Sequence, residues 1–490
     1  VDIQPPTDMI SAHATEIGTD FCAISSAPDN DCKEDSLFLT HHLAFMDGDF
    51  SPKILPVEVF GSFQKVKGGT SPGPDGLPSE VWKKLTLDRE ICSWIATLFT
   101  DLIRAGVYPA SLRHALMIAL IKATGGFRPI SLLQTFSKGY ERILTGILRA
   151  LLSIRPDQFG CKAGHSCQEA LLRVLHCSSQ ALALDPSGKQ DKAWGLLLLD
   201  FSKAYDRLNV DILLRKLFER GVPSWLLRAI RAWASGRTFV VSFQDGISKT
   251  FHPLYGVPQG SPLSVILWLL YIDDLDYGPP SDGPQLAGGG IFVDDTHIYD
   301  AAPTVPQLCQ ILTDRVAHVV RWCQRIRFQI NVKKTEFLLN RFQADAWVVV
   351  DGAMFMAEAV GKLLGIHLWS SENCRMLRIK IDPLLDDLRR RTNLLRICSR
   401  HVPGDLLRTF HSAFFGGKIQ YYLLILNREP RTTIKRLESA WRESIRVLTG
   451  ALRSTPISML WADSQESAVS DLILKAQGGL AARIRKTPII

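Results

Sequence analysis

Two adjacent carboxylates interrupt an apolar stretch in the second half of the chain. Residues 290–299 read GIFVDDTHIY, so apolar residues lead into Asp294 and Asp295 and a partly alternating apolar run follows. This pattern predicts a strand, a tight turn and a second strand, with both acids at the turn. An Asp-Asp pair alone is also typical of a solvated loop. Because neighbouring carboxylates repel each other, the alternative is a cation site, and a pair of magnesium ions suits such hard oxygen ligands.

A third acid follows a continuous apolar run. Residues 194–199 are all apolar or glycine, which predicts a strand buried on both faces, and this strand ends at Asp200. An acid in this place can also cap a following helix, which the pattern predicts over residues 210–220. Asp206 or Asn209 fits that capping role better, so Asp200 is a candidate for a functional role.

A rigid loop comes next along the chain. Residues 256–264 read GVPQGSPLS, with two prolines and two glycines in nine residues. This composition predicts a fixed loop, and we expect Ser264 to cap the apolar helix after it.

These three segments, in this order, resemble the reverse transcriptases of LINE-type (non-LTR) retrotransposons. The resemblance covers about residues 61–460. Flanking segments resemble further motifs of that family: residues 71–76, 127–132, 158–160, Asn331 with Lys334 and Thr335, residues 362–365 (the primer grip) and residues 453–456.

The resemblance implies an α+β right-hand polymerase fold, with fingers, a palm built on an antiparallel sheet, and a helical thumb. We expect an irregular acidic N-terminal extension over residues 1–60 and fingers over 61–190. The palm with its catalytic carboxylates is expected over 191–365, and the helical thumb and C-terminal tail over 366–490.

The resemblance also implies the metal chemistry. Asp200 and Asp294 would bridge two Mg²⁺ ions, with Mn²⁺ as a possible substitute. Asp295 would be a secondary carboxylate, and the Phe201 carbonyl would complete the shell of the second ion. Lys334 would protonate the departing pyrophosphate, although a surface lysine fits the same sequence.

Other matched residues imply contacts with the nucleotide. Lys122 and Arg128 would hold the triphosphate, and Gln259 and Gly260 would border the incoming nucleotide. Tyr205 would exclude a 2′-hydroxyl, with a packing aromatic as its alternative.

The chain also contains a decoy. Residues 271–275 read YIDDL and look more like a retroviral catalytic motif than residues 292–295 do. They lie at the end of a predicted helix and no strand follows, so we interpret Asp273 and Asp274 as a solvated helix terminus.

Charge indicates a polyanionic partner. The net charge is +8, but the first 60 residues carry −9, which leaves +17 on the rest. A basic body suits an RNA template, a DNA primer or nicked target DNA, and dNTPs. Residues 375–400 hold eight basic residues on a predicted helix, for which phosphate binding and a solvated face are equally good interpretations: Arg375, Arg378, Lys380, Arg389, Arg390, Arg391, Arg396 and Arg400.

Ten cysteines without a Cys-x-x-Cys pair indicate reduced thiols and an intracellular location, and the family implies the nucleus. No apolar run reaches membrane-spanning length, and the oligomeric state is left open. At residues 162 and 165 the family prefers arginines, but the chain has Lys162 and His165. These departures, with the short loop over residues 123–126, keep one alternative function: a catalytically decayed nucleic-acid-binding relic of the same fold.

Overall fold

The computed structural model describes residues 7–25, 35, 52–122, 125–181, 192–201, 203–244, 246–281, 286–374 and 376–486. Its α-helices are α1 (Thr7–Ser25), α2 (Pro56–Gln64), α3 (Ser79–Leu85), α4 (Arg89–Ala105), α5 (Thr135–Leu151), α6 (Cys167–Gln180), α7 (Ala204–Arg207), α8 (Val210–Glu219), α9 (Ser224–Ala234), α10 (Pro262–Tyr271), α11 (Val305–Arg325), α12 (Asp382–Cys398), α13 (Gly404–His411), α14 (Gly417–Leu426), α15 (Arg431–Thr449), α16 (Ile457–Ser464) and α17 (Val469–Lys486). Its strands are β1 (His114–Ile121), β2 (Phe127–Leu132), β3 (Ala193–Leu199), β4 (Thr238–Phe243), β5 (Gly246–Ile247), β6 (Gly288–Phe292), β7 (Asp295–Ala302), β8 (Glu336–Leu339), β9 (Trp347–Val350), β10 (Ala353–Glu358), β11 (Val360–Leu363), β12 (Ile366–Trp369) and β13 (Arg378–Ile379).

The chain divides into two compact units, and each is assembled from separate segments. The first unit comprises Val1–Arg155, Phe201–Leu275 and Arg321–Gln329; the second comprises Pro156–Asp200, Asp276–Val320 and Ile330–Ile490. The expected boundaries of fingers, palm and thumb therefore do not coincide with these units, and they stay predictions.

The first unit contains a four-stranded sheet in the order β2-β1-β4-β5. Strand β1 pairs antiparallel with β2 and parallel with β4. Alternate residues of β1, among them Ala115 and Met117, point into a small core that also contains Phe239 and Ile17. Ile17 belongs to α1, so the expectation of an irregular N-terminal extension is wrong for Thr7–Ser25. The acidic composition of this region did not reveal the apolar face of that helix.

The second unit contains a six-stranded sheet in the order β6-β7-β3-β8-β10-β9. Strand β3 lies inside it and pairs antiparallel with β7 and β8. Every residue of β3 after Ala193 is buried, which confirms the strand predicted from its continuous apolar run. Gly195 of β3 gives α11 room to pack, because a Cβ there would lie 2.9 Å from Leu312 and 3.2 Å from Leu308.

A smaller three-stranded sheet, β11-β12-β13, belongs to the same unit. Its first hairpin holds the segment that resembles the primer grip, with Leu363 paired to Ile366. Leu364 and Gly365 both have positive φ (48° and 81°), the pattern of a type I′ turn, which suits the right-handed twist of the strands. Among the described helices, none combines the length and apolar character needed to cross a membrane.

Helix caps test two of the local predictions. The Asn209 side chain accepts hydrogen bonds from the backbone N–H groups of Asp211 (2.9 Å) and Ile212 (3.1 Å), so Asn209 caps α8 as one of the two predicted candidates. The prediction for α10 is wrong: Ser261, not Ser264, is the cap, and its hydroxyl accepts from the Ser264 N–H. Pro262 starts the helix one residue after Ser261, since proline suits the first helical position.

A fully buried ion pair connects the six-stranded sheet to α11. Arg315 donates to Asp300 at 2.9 Å, and the two side chains are 3% and 0% exposed. The same guanidinium donates to the carbonyl oxygens of Tyr299 (2.8 Å), Tyr277 (3.0 Å) and Gly288 (3.1 Å). All of its donor nitrogens are therefore used, and the Ser281 hydroxyl donates to Asp300 as well.

We expect Asp300→Asn to lower the free energy of unfolding by about 3 kcal/mol, because it leaves the Arg315 charge buried without a counter-charge. The control is Asp386→Asn, which removes an exposed partner of Arg389 (62% and 66% exposed) and should cost no more than about 0.5 kcal/mol. Urea unfolding of both variants measures the difference. Equal losses would contradict a special role for the buried pair.

Candidate active site

Strand register brings three acids to one end of the six-stranded sheet. Leu199 at the end of β3 pairs with Thr296 of β7, so the same register continued by one residue sets Asp200 opposite Asp295. Asp295 is also the first residue of β7 and pairs with Phe292 of β6, which leaves Val293 and Asp294 as a two-residue turn. The predicted strand, turn and strand are confirmed.

The turn has an unusual residue at its first central position. Val293 has a φ of 62°, whereas Asp294 is not among the residues with positive φ. A positive φ at the first position alone is the pattern of a type II′ turn, where glycine is usual. A β-branched residue is strained in this region, and such strain is concentrated at functional sites.

Two neighbours hold Asp200 in place. The Lys334 ammonium lies 2.8 Å from Asp200 Oδ2, and Asn331 Nδ2 donates to the same oxygen at 3.1 Å. The Asn331 backbone N–H also donates to the Asp200 carbonyl oxygen at 2.8 Å. Asp200 is 16% exposed and Lys334 is 65% exposed, so the ammonium approaches the carboxylate from the solvent side. Sequence reasoning named Asn331 only as part of a motif and did not find this contact.

The ionised forms of Asp294 and Asp295 are disfavoured, so the pKa of each is raised. Partial withdrawal from water, and then the charge of Asp200, raise the pKa of Asp294, while Lys334 lowers it. For Asp295 the same withdrawal and the charges of Asp294 and Asp200 raise the pKa to about 6. Because burial and neighbouring acids penalise the ionised forms of Asp294 and Asp295, additional positive charge nearby would favour their ionisation at neutral pH.

The donor set suits a divalent ion, but the side chains are not gathered around one. Carboxylate oxygens are the ligands that Mg²⁺ and Mn²⁺ prefer. Within the residues that the structure describes, no three acidic, histidine or cysteine side chains form a group that could hold a metal ion. Lys334 and Asn331 both bind one oxygen of Asp200, Oδ2.

The other predicted residues belong to the first unit. Lys122 follows β1 and Arg128 lies on β2, opposite Leu120. The Lys122 N–H donates to the Gly126 carbonyl oxygen at 2.9 Å, which closes the hairpin between the two strands. Residues 123 and 124 of that loop lie outside the described residues.

Gln259 and Gly260 lie where their loop contacts β2. The Ser131 N–H donates to the Gln259 carbonyl oxygen at 2.7 Å. Gly260 has a φ of 131°, and a Cβ there would lie 2.4 Å from the Ser131 carbonyl oxygen, so only glycine fits. The Gln259 amide points toward Asp206, at 3.5 Å.

A buried carboxylate that the sequence analysis missed anchors the same loop. Glu141 of α5 is fully buried and accepts hydrogen bonds from the hydroxyls of Ser261 (2.5 Å) and Ser137 (2.7 Å) and from Trp233 Nε1 (3.2 Å). Burial raises the pKa of Glu141, and these three donors oppose the shift. A lone glutamate in an amphipathic helix gave no sequence signal of this role.

Asp206 is a second acid of this unit whose environment the sequence did not reveal. Burial raises the pKa of Asp206 to about 6, although Lys203, Gln259, Arg237 and Lys122 lower it. Arg237 in turn donates to the carbonyl oxygens of residues 255 and 256, at the start of the rigid loop.

The aromatic residues near Asp200 in sequence pack within the first unit. The Phe201 ring is 2% exposed and lies 5.9 Å from Trp322 and 6.3 Å from Phe328, measured between ring centroids. The Tyr205 ring lies 5.6 Å from Trp268 and is only partly buried. The structure is therefore compatible with both interpretations of Tyr205.

The decoy acids are structural. Both follow α10 without a strand, as predicted, but Asp273 is not solvated: it is 17% exposed and bonds to Arg220 at 2.9 Å. Asp274 bonds to Lys216 at 2.6 Å and accepts from Trp322 Nε1 at 3.0 Å. These cations offset the unfavourable placement of acids at a helix C-terminus, a compensation that the local sequence could not reveal.

The basic helix keeps both of its interpretations. Arg389 and Arg391 bond to Asp386 (2.9 Å) and Asp387 (3.0 Å) on α12 itself, whereas Arg390 is exposed. Arg375 lies outside the described residues.

We expect metal-free Asp295→Asn to be more stable than the wild type at pH 7.5, because it removes a charge that partial withdrawal from water, Asp294 and Asp200 make unfavourable. The gain should be only on the order of 1 kcal/mol, since solvent screens this exposed side chain. A carboxyl whose pKa rises from 3.8 to about 6 on folding loses stability as the pH rises through that window. The gain should therefore be full above pH 6 and vanish near pH 4.

Urea unfolding in EDTA at several pH values measures this gain. The control is Asp314→Asn, an exposed acid within α11. A gain from Asp295→Asn that does not change with pH would contradict the crowding of carboxylates.

Comparisons with known proteins agree with this geometry. The family model described as "Reverse transcriptase (RNA-dependent DNA polymerase)" matches residues 120–380, more than half of the chain. A probable RNA-directed DNA polymerase from transposon X-element of Drosophila melanogaster is 27% identical over 304 residues, which is 58% of this chain and 32% of that protein. The RNA-directed DNA polymerase from mobile element jockey of the same species is 27% identical over 330 residues, covering 64% and 34%.

One solved structure, apo telomerase from Candida tropicalis, matches with a TM-score of 0.41 and 14% identity, over 82% of this chain and 72% of that one; this similarity is too low to carry an argument. The chain spans about a third of the length of the two curated relatives. The family match and these relatives, both named as RNA-directed DNA polymerases, confirm the predicted resemblance and its α+β right-hand polymerase class: the chain belongs to the reverse transcriptase family.

Proposed function

We propose that this chain is the RNA-directed DNA polymerase of a non-LTR retrotransposon, which extends a primer 3′-hydroxyl with dNTPs on an RNA template. The observation that carries the proposal is the convergence of Asp200, Asp294 and Asp295 at one end of a six-stranded sheet, within residues that match the family. The alternative, a catalytically decayed relic, is disfavoured because all three acids are present and lie at the same end of the sheet.

Enzymes of this family use divalent metal ions, and we propose two Mg²⁺ ions here, with Mn²⁺ as a substitute. Such ions lower the pKa of the attacking hydroxyl and stabilise charge on the triphosphate. Asp200 and Asp294 would hold both ions, with Asp295 and the Phe201 carbonyl as further ligands. The raised pKa values of Asp294 and Asp295 support this assignment, because nearby cations would stabilise the ionised carboxylates that burial and neighbouring acids destabilise.

Lys334 supports the proposal in a second way. Its ammonium lies 2.8 Å from Asp200 Oδ2, and the side chain is otherwise exposed. Lys334 thus adjoins a carboxylate that would hold the ions, where it would be placed to donate a proton to the departing pyrophosphate.

The remaining roles are proposed from the family motifs. Lys122 and Arg128 would bind the triphosphate, and Gln259 and Gly260 would border the incoming nucleotide. Tyr205 would select the sugar. The anchoring of residues 256–261 by Ser131 and Glu141 supports a loop whose shape is set before the nucleotide binds.

The partners would be an RNA template and a DNA primer or nicked target DNA. The net charge of +8 favours such polyanions. A nuclear location is proposed only from the family.

Asp294→Asn should reduce primer extension by roughly 100-fold or more, because it removes a charge that the metal ions require. The matched control is the decoy: Asp274→Asn should stay within about threefold of the wild type, since its amide can still accept hydrogen bonds. Both variants are measured with purified chain, homopolymer RNA template, DNA primer and Mg²⁺, at a temperature where circular dichroism shows both to be folded. Loss of activity in Asp274→Asn alone would contradict the assignment of the catalytic turn.

Tyr205→Ala should raise the use of ribonucleotides, because a bulky ring excludes a 2′-hydroxyl by repulsion. We expect the ratio of kcat/KM for dNTP over rNTP to fall by roughly tenfold or more. Tyr205→Phe is the control and should keep the ratio, since ring volume excludes the hydroxyl. An unchanged ratio in an active Tyr205→Ala enzyme would return Tyr205 to a packing role.

A further inference from the structure

The strained turn of the second unit is supported by a segment that precedes it by more than 130 residues. The Phe159 N–H donates to the Ile291 carbonyl oxygen (2.8 Å), and the Ile291 N–H donates to the Asp157 carbonyl oxygen (2.9 Å). Gln158 thereby forms a parallel bridge with Ile291, the second-to-last residue of β6. This short added segment brings the Gln158 side chain to the turn that follows β6.

Gln158 binds the backbone of the turn. Its Oε1 accepts from the Val293 N–H at 3.1 Å and from the Gly160 N–H at 2.8 Å, and the residue is only 1% exposed. Because two N–H donors point at one atom, that atom must be the oxygen of the amide.

The amide nitrogen of Gln158 has no hydrogen-bond partner among the described residues. A buried amide with an unused donor is energetically unfavourable. An apolar side chain of the same size would fill this space without leaving a buried donor unused. The hydrogen bonds of Gln158 are therefore made by its oxygen.

The backbone of Gly160 also packs against the turn, next to Val293. A Cβ on Gly160 would lie 2.5 Å from the Val293 nitrogen and 2.6 Å from Val293 Cγ2. The backbone of residue 160 therefore lies directly against the strained residue and leaves it no space to relax in that direction.

We propose that Gln158 is a positioning residue that holds Val293 in its left-handed conformation and thereby sets the position of Asp294. The inference rests on the proposed function, in which Asp294 acts in catalysis. Without the Gln158 acceptor, Val293 would relax toward negative φ, and the adjoining carboxylate would move relative to Asp200 and Asp295.

The principal test removes the acceptor and keeps the volume. Gln158→Met should lower kcat for primer extension by roughly 10- to 100-fold, since a displacement of about 1 Å at a reacting group has effects of this size. The KM for dNTP should change little, because the nucleotide-binding residues are untouched. The control is Gln64→Met, which removes another side-chain bond to the backbone (Gln64 Nε2 to the Lys83 carbonyl oxygen, 2.9 Å) and should leave kcat unchanged.

Rescue separates positioning from general destabilisation. Glycine adopts positive φ without strain, so Val293→Gly should need no support from Gln158. The double variant Gln158→Met with Val293→Gly should recover most of the lost kcat, to within about fivefold of the wild type. A double variant that is as slow as Gln158→Met, or slower, would overturn the proposal.

A third variant keeps the test valid if Gln158→Met does not fold. Gly160→Ala pushes a methyl group against Val293 and should also lower kcat without changing the KM for dNTP. Its control is Gly146→Ala, where a Cβ meets nothing within 4 Å. Melting temperatures by circular dichroism identify any variant whose loss of activity is only a loss of folded protein.

Asp294→Asn, measured in the same assay, separates the two proposals. If it keeps activity, the proposed function of the turn has failed. If it is inactive while Gln158→Met and Gly160→Ala keep the wild-type kcat, the proposed function stands and the role of Gln158 is wrong.

Discussion

The second unit has to keep three carboxylates at one end of a sheet. Partial burial and then neighbouring acids raise the pKa of Asp294 and of Asp295, and Lys334 offsets only part of these shifts. The rest of the site follows from this requirement. A buried strand fixes Asp200, a two-residue turn fixes Asp294, and an amide from a distant segment binds the backbone of that turn. Acids with raised pKa values of this kind are concentrated at functional sites.

Hydrogen bonds to buried groups hold the loop whose residues are expected at the nucleotide. Gln259 and Gly260 are fixed through their backbone against β2, and Ser261 is fixed by Glu141, which no solvent reaches. Fully satisfied buried polar groups of this type make a loop rigid. A loop with a fixed shape loses little conformational entropy when it binds a ligand, so the hydrogen bonds of Glu141 can serve binding without touching the nucleotide.

Sequence reasoning reached the features that depend on local patterns. The apolar run before Asp200, the acids at the hairpin and the Asn209 cap are each specified by residues within one element. It failed where the deciding partner is distant in sequence. Gln158 binds Val293 and Glu141 holds Ser261, and both contacts join residues more than 100 positions apart. The helix α1 was missed for a related reason. Its apolar face packs, through Ile17, on a core formed by residues that are distant in sequence. The choice of Ser264 over Ser261 as the cap of α10 was a local error of three residues.

The two Asp-Asp pairs of this chain show why sequence similarity to a motif is a weaker argument than environment. Asp273 and Asp274 each bind a cationic side chain, and Arg325 lies 3.6 Å from Asp274 as well, so their charges are already neutralised by protein. Asp294 and Asp295 face another carboxylate, and the cation that lowers their pKa values, Lys334, lies against Asp200. A metal ion stabilises a carboxylate only slightly when arginine or lysine already neutralises its charge. It stabilises a crowded group of acids more, because it also offsets the repulsion between them. The same dipeptide is therefore paired with cationic side chains at the helix end and crowded by another acid at the hairpin, and the difference lies in the distribution of positive charge around it.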